Sequence, residues 1–105
     1  MAKDYKEVPA NETYKVRFEK CFNTMSKGGN PMLTAWYRIT EGPMKGQMMF
    51  QHQVRTTEIG NKIAQEVIEA SEKYGVGAGA DSFELYYRQK EADNGRVYDQ
   101  FFIND

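Results

Sequence analysis

The sequence predicts a mainly β domain with one helix, in the element order β-β-β-α-β-β. Three observations lead to this prediction. Apolar and polar side chains alternate along five stretches, which is the period of a half-buried strand. One longer stretch, between the third and the fourth of these, repeats its apolar side chains at helical spacing. Segments rich in Gly, Pro and Asn separate neighbouring strands, as turns require.

The length predicts a single domain. A chain of 105 residues can bury a sizeable core without disulfides or metal. Residues 1–13 are charged and are broken by Pro9, so we interpret them as a lead-in segment. We therefore place one domain at residues 14–105.

Three predicted strands precede the helix, and the first of them carries two candidate binding residues. The first strand runs from residue 14 to about 24 and presents Lys15 and Arg17 on its polar face. The second covers residues 32–40, and the third covers residues 47–54. The sequence does not decide which side chains of the third strand face the core, because a bulge after the preceding glycine would exchange the two faces of the strand.

The helix has the clearest sequence pattern. Thr56 or Thr57 is a natural N-cap, and the Gly/Ala run at residues 75–80 is a natural end. The apolar stripe comprises Ile59, Ile63, Val67, Ala70 and Tyr74, widened by Ala64 and Ile68.

Two more strands complete the chain. The fourth strand covers residues 82–90 and the fifth covers residues 96–104. Asp93-Asn94-Gly95 between them is a strong hairpin signal.

This order of elements matches a five-stranded Greek-key barrel of the OB type, with the helix at one end of the barrel. Closure into a barrel would also remove exposed sheet edges. An open α+β sheet with the helix on one face is the alternative fold.

Composition limits the function classes. Fourteen basic and fifteen acidic side chains leave a net charge of −1, so overall charge does not indicate nucleic-acid binding. The cations are concentrated in residues 1–50, which carry eight Lys/Arg against five Asp/Glu. If the fold gathers them on one face, a modest basic patch forms on a nearly neutral protein.

Cysteine and histidine usage argues against a metal site and an enzyme. The single cysteine, Cys21, and the single histidine, His52, cannot form a disulfide or a Cys/His metal cluster within the chain. Catalytic motifs are also absent from the sequence, so we expect neither catalytic residues nor a cofactor. With no apolar run of signal or membrane-spanning length, the expected location is the cytoplasm.

Aromatic rings and cations share the predicted polar faces of the strands. Folding alone does not explain why rings are placed there at Trp36, Tyr86, Tyr98 and Phe102. Rings interleaved with cations suit the stacking of bases and the neutralisation of phosphates along a single strand. The predicted nucleic-acid-binding residues are Lys15, Arg17, Trp36, Arg38, Tyr86, Arg88 and Phe102, and Lys27 and Lys45 in the turns would extend the groove.

The segment from Ser26 to Phe50 resembles a family of small bacteriophage proteins that are described as single-stranded-DNA-binding-like. The shared pattern is a Lys-Gly turn, a Pro-Met strand, the aromatic pair Trp36-Tyr37, and the turn Glu-Gly-Pro-x-Lys-Gly. It continues through Gln53-Val54 to Tyr98, Phe101 and Ile103 in the last strand.

This resemblance implies an OB-like fold and a single-stranded DNA partner, with a role in phage DNA replication or recombination. The chain ends Phe-Phe-Ile-Asn-Asp inside its predicted last strand, without the acidic tail through which bacterial single-strand binders recruit partners. The sequence does not exclude other partners, namely further copies of the same chain in a homo-oligomer, or replication and recombination proteins of phage or host. The alternative function is a phage protein-interaction module that uses the same surface to inhibit a host enzyme or defence complex.

Overall fold

A computed structural model describes residues 8–104. The strands are β1 (Glu12–Met25), β2 (Pro31–Ile39), β3 (Met48–Val54), β4 (Phe83–Glu91) and β5 (Val97–Asn104). One helix, α1 (Glu58–Tyr74), lies between β3 and β4. The predicted order of elements is therefore confirmed. Much of the predicted lead-in, residues 1–7, and the last residue lie outside the described part of the chain.

All five strands form one antiparallel sheet in the order β3-β2-β1-β4-β5. The central strand β1 pairs with β4 through its first residues and with β2 through residues 16–25. Each strand thus pairs with a neighbour along the chain except at the crossover from α1, which brings β4 back to β1. This arrangement makes β1 the strand that joins both halves of the sheet.

The sheet is not closed into a barrel. Within residues 8–104, β3 and β5 are the outer strands of the sheet and no backbone ladder joins them. The mainly β fold with one helix is as predicted, whereas the pairing that would close a barrel is not seen.

One face of the sheet, the inner face, packs on α1. Val16, Phe18, Tyr37 and Leu85 are fully buried there. Burial of aromatic and branched side chains supplies most of the driving force for such a fold. The Tyr37 hydroxyl donates a 2.6 Å hydrogen bond to Oε1 of the buried Gln51, which satisfies both polar groups.

The helix lies close to the end of β3. Its N-cap is Thr57, whose side chain accepts a hydrogen bond from the backbone N–H of Gly60. The buried line of the helix is Gly60, Ala64, Val67 and Ala70. Ile59, which the apolar stripe predicted to be inward, is 74% exposed because the first turn of α1 presents Gly60 to the sheet instead.

No helix within residues 8–104 is long and apolar enough to cross a membrane.

Candidate nucleic-acid interface

The opposite face of the sheet, the outer face, carries three aromatic side chains on three neighbouring strands. Phe22 on β1, Trp36 on β2 and Phe50 on β3 form what we call the aromatic trio. The ring centroids of Phe22 and Trp36 are 6.2 Å apart, and those of Trp36 and Phe50 are 5.6 Å apart. Phe22 and Phe50 are each 41% exposed. The trio therefore presents a wide apolar and aromatic surface to solvent.

Polar groups border the trio. The ammonium of Lys20 lies 4.7 Å from the centre of the Trp36 ring, a cation–π contact. On the same face, His52 Nδ1 lies 3.1 Å from the Thr34 hydroxyl in a hydrogen bond. This edge of the sheet therefore offers rings, a cation and hydrogen-bonding groups together.

A β-bulge creates this arrangement. The register of β1 against β2 shifts between Phe18 and Lys20, which leaves Glu19 as the extra residue. Beyond it, Cys21 faces inward, whereas Lys20 and Phe22 face outward. Sequence reasoning missed Lys20 and Phe22 because a simple alternation along β1 does not contain the bulge.

Phe50 was also missed as a binding residue, because the sequence alone does not decide the faces of β3. The register places Phe50 opposite Trp36, and it buries Met49 and Gln51 on the inner face. The adjacent charges Glu19-Lys20, which break the alternation, are the sequence signal that could have revealed the bulge.

Two of the predicted phosphate-binding cations share one carboxylate. Glu19 Oε2 accepts a hydrogen bond from Arg38 Nε at 2.5 Å and lies 3.4 Å from an Nη of Arg17. Arg38 also donates to the carbonyl of Gly46, and Arg17 donates to the carbonyl of Gly77. The two guanidinium groups are thus held in place and partly neutralised.

The same contacts act on the carboxylate. The hydrogen bond from Arg38 lowers the pKa of Glu19, and the positive charges of Arg17 and Arg38 add to this effect. Glu19 therefore stays ionised to a lower pH than an ordinary glutamate, and with Glu19 ionised the three side chains carry a net charge of +1.

The third predicted cation on these strands, Lys15, is more open. Its side chain is 47% exposed, and its ammonium lies 4.0 Å from Glu41. A surface ion pair at this distance contributes little and is easily exchanged for another anion. Lys27 and Lys45 lie in the turns on either side of β2 and are both exposed.

Predicted residues on β4 and β5 form a second group, which we call the β4–β5 cluster. The rings of Tyr86 and Phe102 have centroids 6.3 Å apart, and the Arg88 guanidinium lies 5.2 Å from the centre of the Phe102 ring. Arg88 also donates a hydrogen bond to Gln100 Oε1. Tyr98, 47% exposed, lies on the same face of β5.

The predicted residues therefore fall into two groups, one on each side of β1. Trp36 and Arg38 lie on β2, whereas Tyr86, Arg88 and Phe102 lie on β4 and β5. Lys15 and Arg17 lie on β1 between the two groups. Among the described residues, ring contacts join the members of each group to one another and not to the other group.

The side chains of residues 8–104 include no group of three or more His, Cys, Asp or Glu that could hold a metal ion. Comparison with known proteins finds no family model that matches the sequence, and no match among curated proteins. The resemblance to single-stranded-DNA-binding-like phage proteins therefore stays a prediction.

Proposed function

We propose that this protein binds single-stranded DNA on the outer face of its sheet. The observation that carries the proposal is the aromatic trio, three partly exposed rings on adjacent strands with Lys20 over the central one. Stacking of bases on such rings is worth about 1 to 3 kcal/mol per base and tolerates any sequence. Phe22, Trp36 and Phe50 would stack bases in this arrangement.

Cations on the same face supply the contacts to phosphate. Lys15 and Lys20 are exposed, and Arg38 retains N–H donors beyond those it gives to Glu19 and Gly46. Arg17 holds the loop after α1 through Gly77, so its contribution is a positive potential more than a direct contact. The overall charge of −1 is compatible with this proposal because binding depends on the local field of the face.

The β4–β5 cluster extends the proposed path across β1. Tyr86 and Phe102 would stack further bases, and Arg88 would contact a phosphate. A strand of DNA that crosses from the trio to this cluster passes over Lys15 and Arg17 on β1. Lys27 and Lys45 would extend the path at the turns.

An OB-like architecture is part of the same proposal. In the order β3-β2-β1-β4-β5, a single further pairing between β3 and β5 would complete a five-stranded barrel. OB folds bind oligonucleotides on the face of strands 2 and 3, where Trp36 and Phe50 lie. With the phage resemblance, this supports a role in replication or recombination of DNA in the host cytoplasm, with self-association and replication proteins as further contacts.

The test is a titration of a fluorescein-labelled oligothymidine of about 16 nucleotides, followed by anisotropy at about 50 mM and about 200 mM salt. We expect binding that weakens steeply with salt, and weaker binding of Trp36→Ala by about 1 to 3 kcal/mol. The circular dichroism of the variant should match that of the wild type. Failure to bind at the lower salt concentration would contradict the proposal and would favour the protein-interaction module, in which a partner chain covers the same rings.

A further inference from the structure

His52, the only histidine of the chain, lies on the outer face of β3 next to the aromatic trio. Its side chain is exposed, and its cross-strand partner on β2 is Thr34. Phe50 lies two residues before His52 on the same face, about 7 Å away along the strand. A nucleotide whose base stacks on Phe50 therefore has its sugar and phosphate within reach of the imidazole.

One nitrogen of the imidazole already has a partner within the protein. Nδ1 lies 3.1 Å from the hydroxyl of Thr34, which is only 3% exposed and needs such a partner. A hydroxyl both donates and accepts, so this contact can persist whether the ring is neutral or protonated. Among residues 8–104, Nε2 of His52 forms neither a hydrogen bond nor an ion pair. In the protonated ring, Nε2–H is therefore left to donate to a ligand.

Charged groups lie around His52 on several elements. Within residues 8–104 they are Lys20 on β1, Arg55 after β3, Glu66, Glu69 and Lys73 on α1, and Asp99 on β5. The last four line the opening between β3 and β5 together with His52, so that three carboxylates stand against one ammonium among the described residues there. Such an excess of negative charge repels the phosphates of DNA. A positive charge on His52 would offset this repulsion where β3 borders the opening.

We propose that His52 is a phosphate-binding residue of the DNA site and makes the affinity for single-stranded DNA rise as pH falls below neutral. The inference rests on the proposed function, because it assigns a further residue to the same face. The imidazolium donates Nε2–H to the phosphate of the nucleotide that stacks on Phe50. The neutral ring supplies no charge, so at higher pH this phosphate is held less tightly.

The pH range of the effect belongs to histidine. Histidine is the side chain that ordinarily changes its charge between about pH 5 and about pH 8. Burial raises the pKa of the Cys21 thiol, and the hydrogen bond from Arg38 lowers the pKa of Glu19, so both groups are moved away from this range. A change of affinity within the range can therefore be traced to His52 by replacing this one side chain.

The experiment measures binding of an oligothymidine of about 16 nucleotides by anisotropy at about pH 5.5 and about pH 8, at one ionic strength. The label is a rhodamine, because fluorescein itself titrates in this range. We expect the affinity of the wild type to be at least about fivefold higher at the lower pH, as for a hydrogen bond gained to a charged group. The slope of log K against log salt should also steepen by about 0.7 there, as for one further phosphate contact on a single strand.

His52→Gln should bind about as tightly as the wild type at the higher pH and should lose the increase at the lower pH. Glutamine can still form a hydrogen bond with the Thr34 hydroxyl but cannot gain a charge. The matched control is His52→Gln/Gln65→His, which returns a histidine to an exposed position on α1. Its net charge changes with pH as that of the wild type does, yet it should show no more increase in affinity than His52→Gln.

The outcomes separate this inference from the proposed function. Equal affinity of the wild type at the two pH values would overturn the inference and leave the DNA site intact. An increase that persists in His52→Gln, or that returns in the double variant, would also overturn the inference, since another group or the net charge would then be its cause. Absence of binding at both pH values would contradict the proposed function itself, and the inference with it.

Discussion

Trp36 on β2 and Phe50 on β3 face each other across the strand pair, with ring centroids 5.6 Å apart and ring planes inclined by 82°. This edge-to-face contact fixes two large rings on the outer face of the sheet. Phe50 remains 41% exposed even so. The pair therefore holds two nearly perpendicular rings in place on the strands, so a planar ligand can stack on one of them without first ordering a loop.

Replacing Phe50 by Ala should weaken binding of oligothymidine by about 1 to 3 kcal/mol, because one stacking surface is lost. Anisotropy titration measures the change. Ile59→Ala is the control, since Ile59 is an apolar side chain, 74% exposed, on the helix. Phe50 would be shown not to stack a base if Phe50→Ala bound oligothymidine as tightly as the wild type. The same conclusion would follow if Ile59→Ala weakened binding as much as Phe50→Ala does.

Replacing Glu19 by Gln should strengthen binding of oligothymidine. The carboxylate of Glu19 forms ion pairs with the guanidinium groups of both Arg17 and Arg38. Once Gln replaces this carboxylate, the positive charge of both guanidinium groups is available to attract phosphate. We expect the slope of log K against log salt to steepen by about 0.7 for each additional phosphate that the protein neutralises. Glu72→Gln removes the same charge from an exposed position on the helix, so an equal increase in affinity in both variants would indicate only a change in net charge.

The same carboxylate should make stability depend on pH in the acid range. The pKa of Glu19 in the folded protein is lowered from its ordinary value of 4.5 by Arg38 and Arg17. Its contribution to the free energy of unfolding is therefore fully present above that value and is lost as pH falls through the lowered pKa. In urea unfolding, the difference between the wild type and Glu19→Gln should shrink below pH 4.5. A difference that stays constant there would contradict the assignment.

Replacing Gly60 by Ala should destabilise the fold, although alanine favours a helix by about 1 kcal/mol over glycine. A Cβ at this position would lie 2.4 Å from the backbone oxygen of Val54, so helix and strand would have to move apart. Gly79→Ala is the control, because a Cβ there meets nothing within 4 Å. Thermal unfolding compares them, and a Gly60→Ala protein at least as stable as the wild type would show that the contact relaxes without cost.

The elements could be predicted from the sequence because local periodicity determines them. The alternation of Phe83, Leu85 and Tyr87 identifies β4 and its inner face, and the spacing of Val67 and Ala70 identifies the helix. The helix and strand ends in the structure lie within about two residues of the ends that the turn residues predict.

The candidate site was predicted only in part, because it depends on features that periodicity does not contain. The bulge at Glu19 reverses the faces of β1 and brings Lys20 and Phe22 beside Trp36. The sharing of Glu19 by Arg17 and Arg38 depends on the register between β1 and β2. Neither relationship follows from a single strand considered by itself.

DNA binding on the aromatic trio is tested most sharply by the fluorescence of Trp36, the only tryptophan in the chain. Unlabelled oligothymidine is added at low salt while the emission of Trp36 is followed, and salt is then raised. We expect saturable quenching that salt reverses, with the same midpoint as the anisotropy titration. Binding detected by anisotropy with unchanged Trp36 emission would contradict the proposal, because DNA would then bind elsewhere than on the aromatic trio.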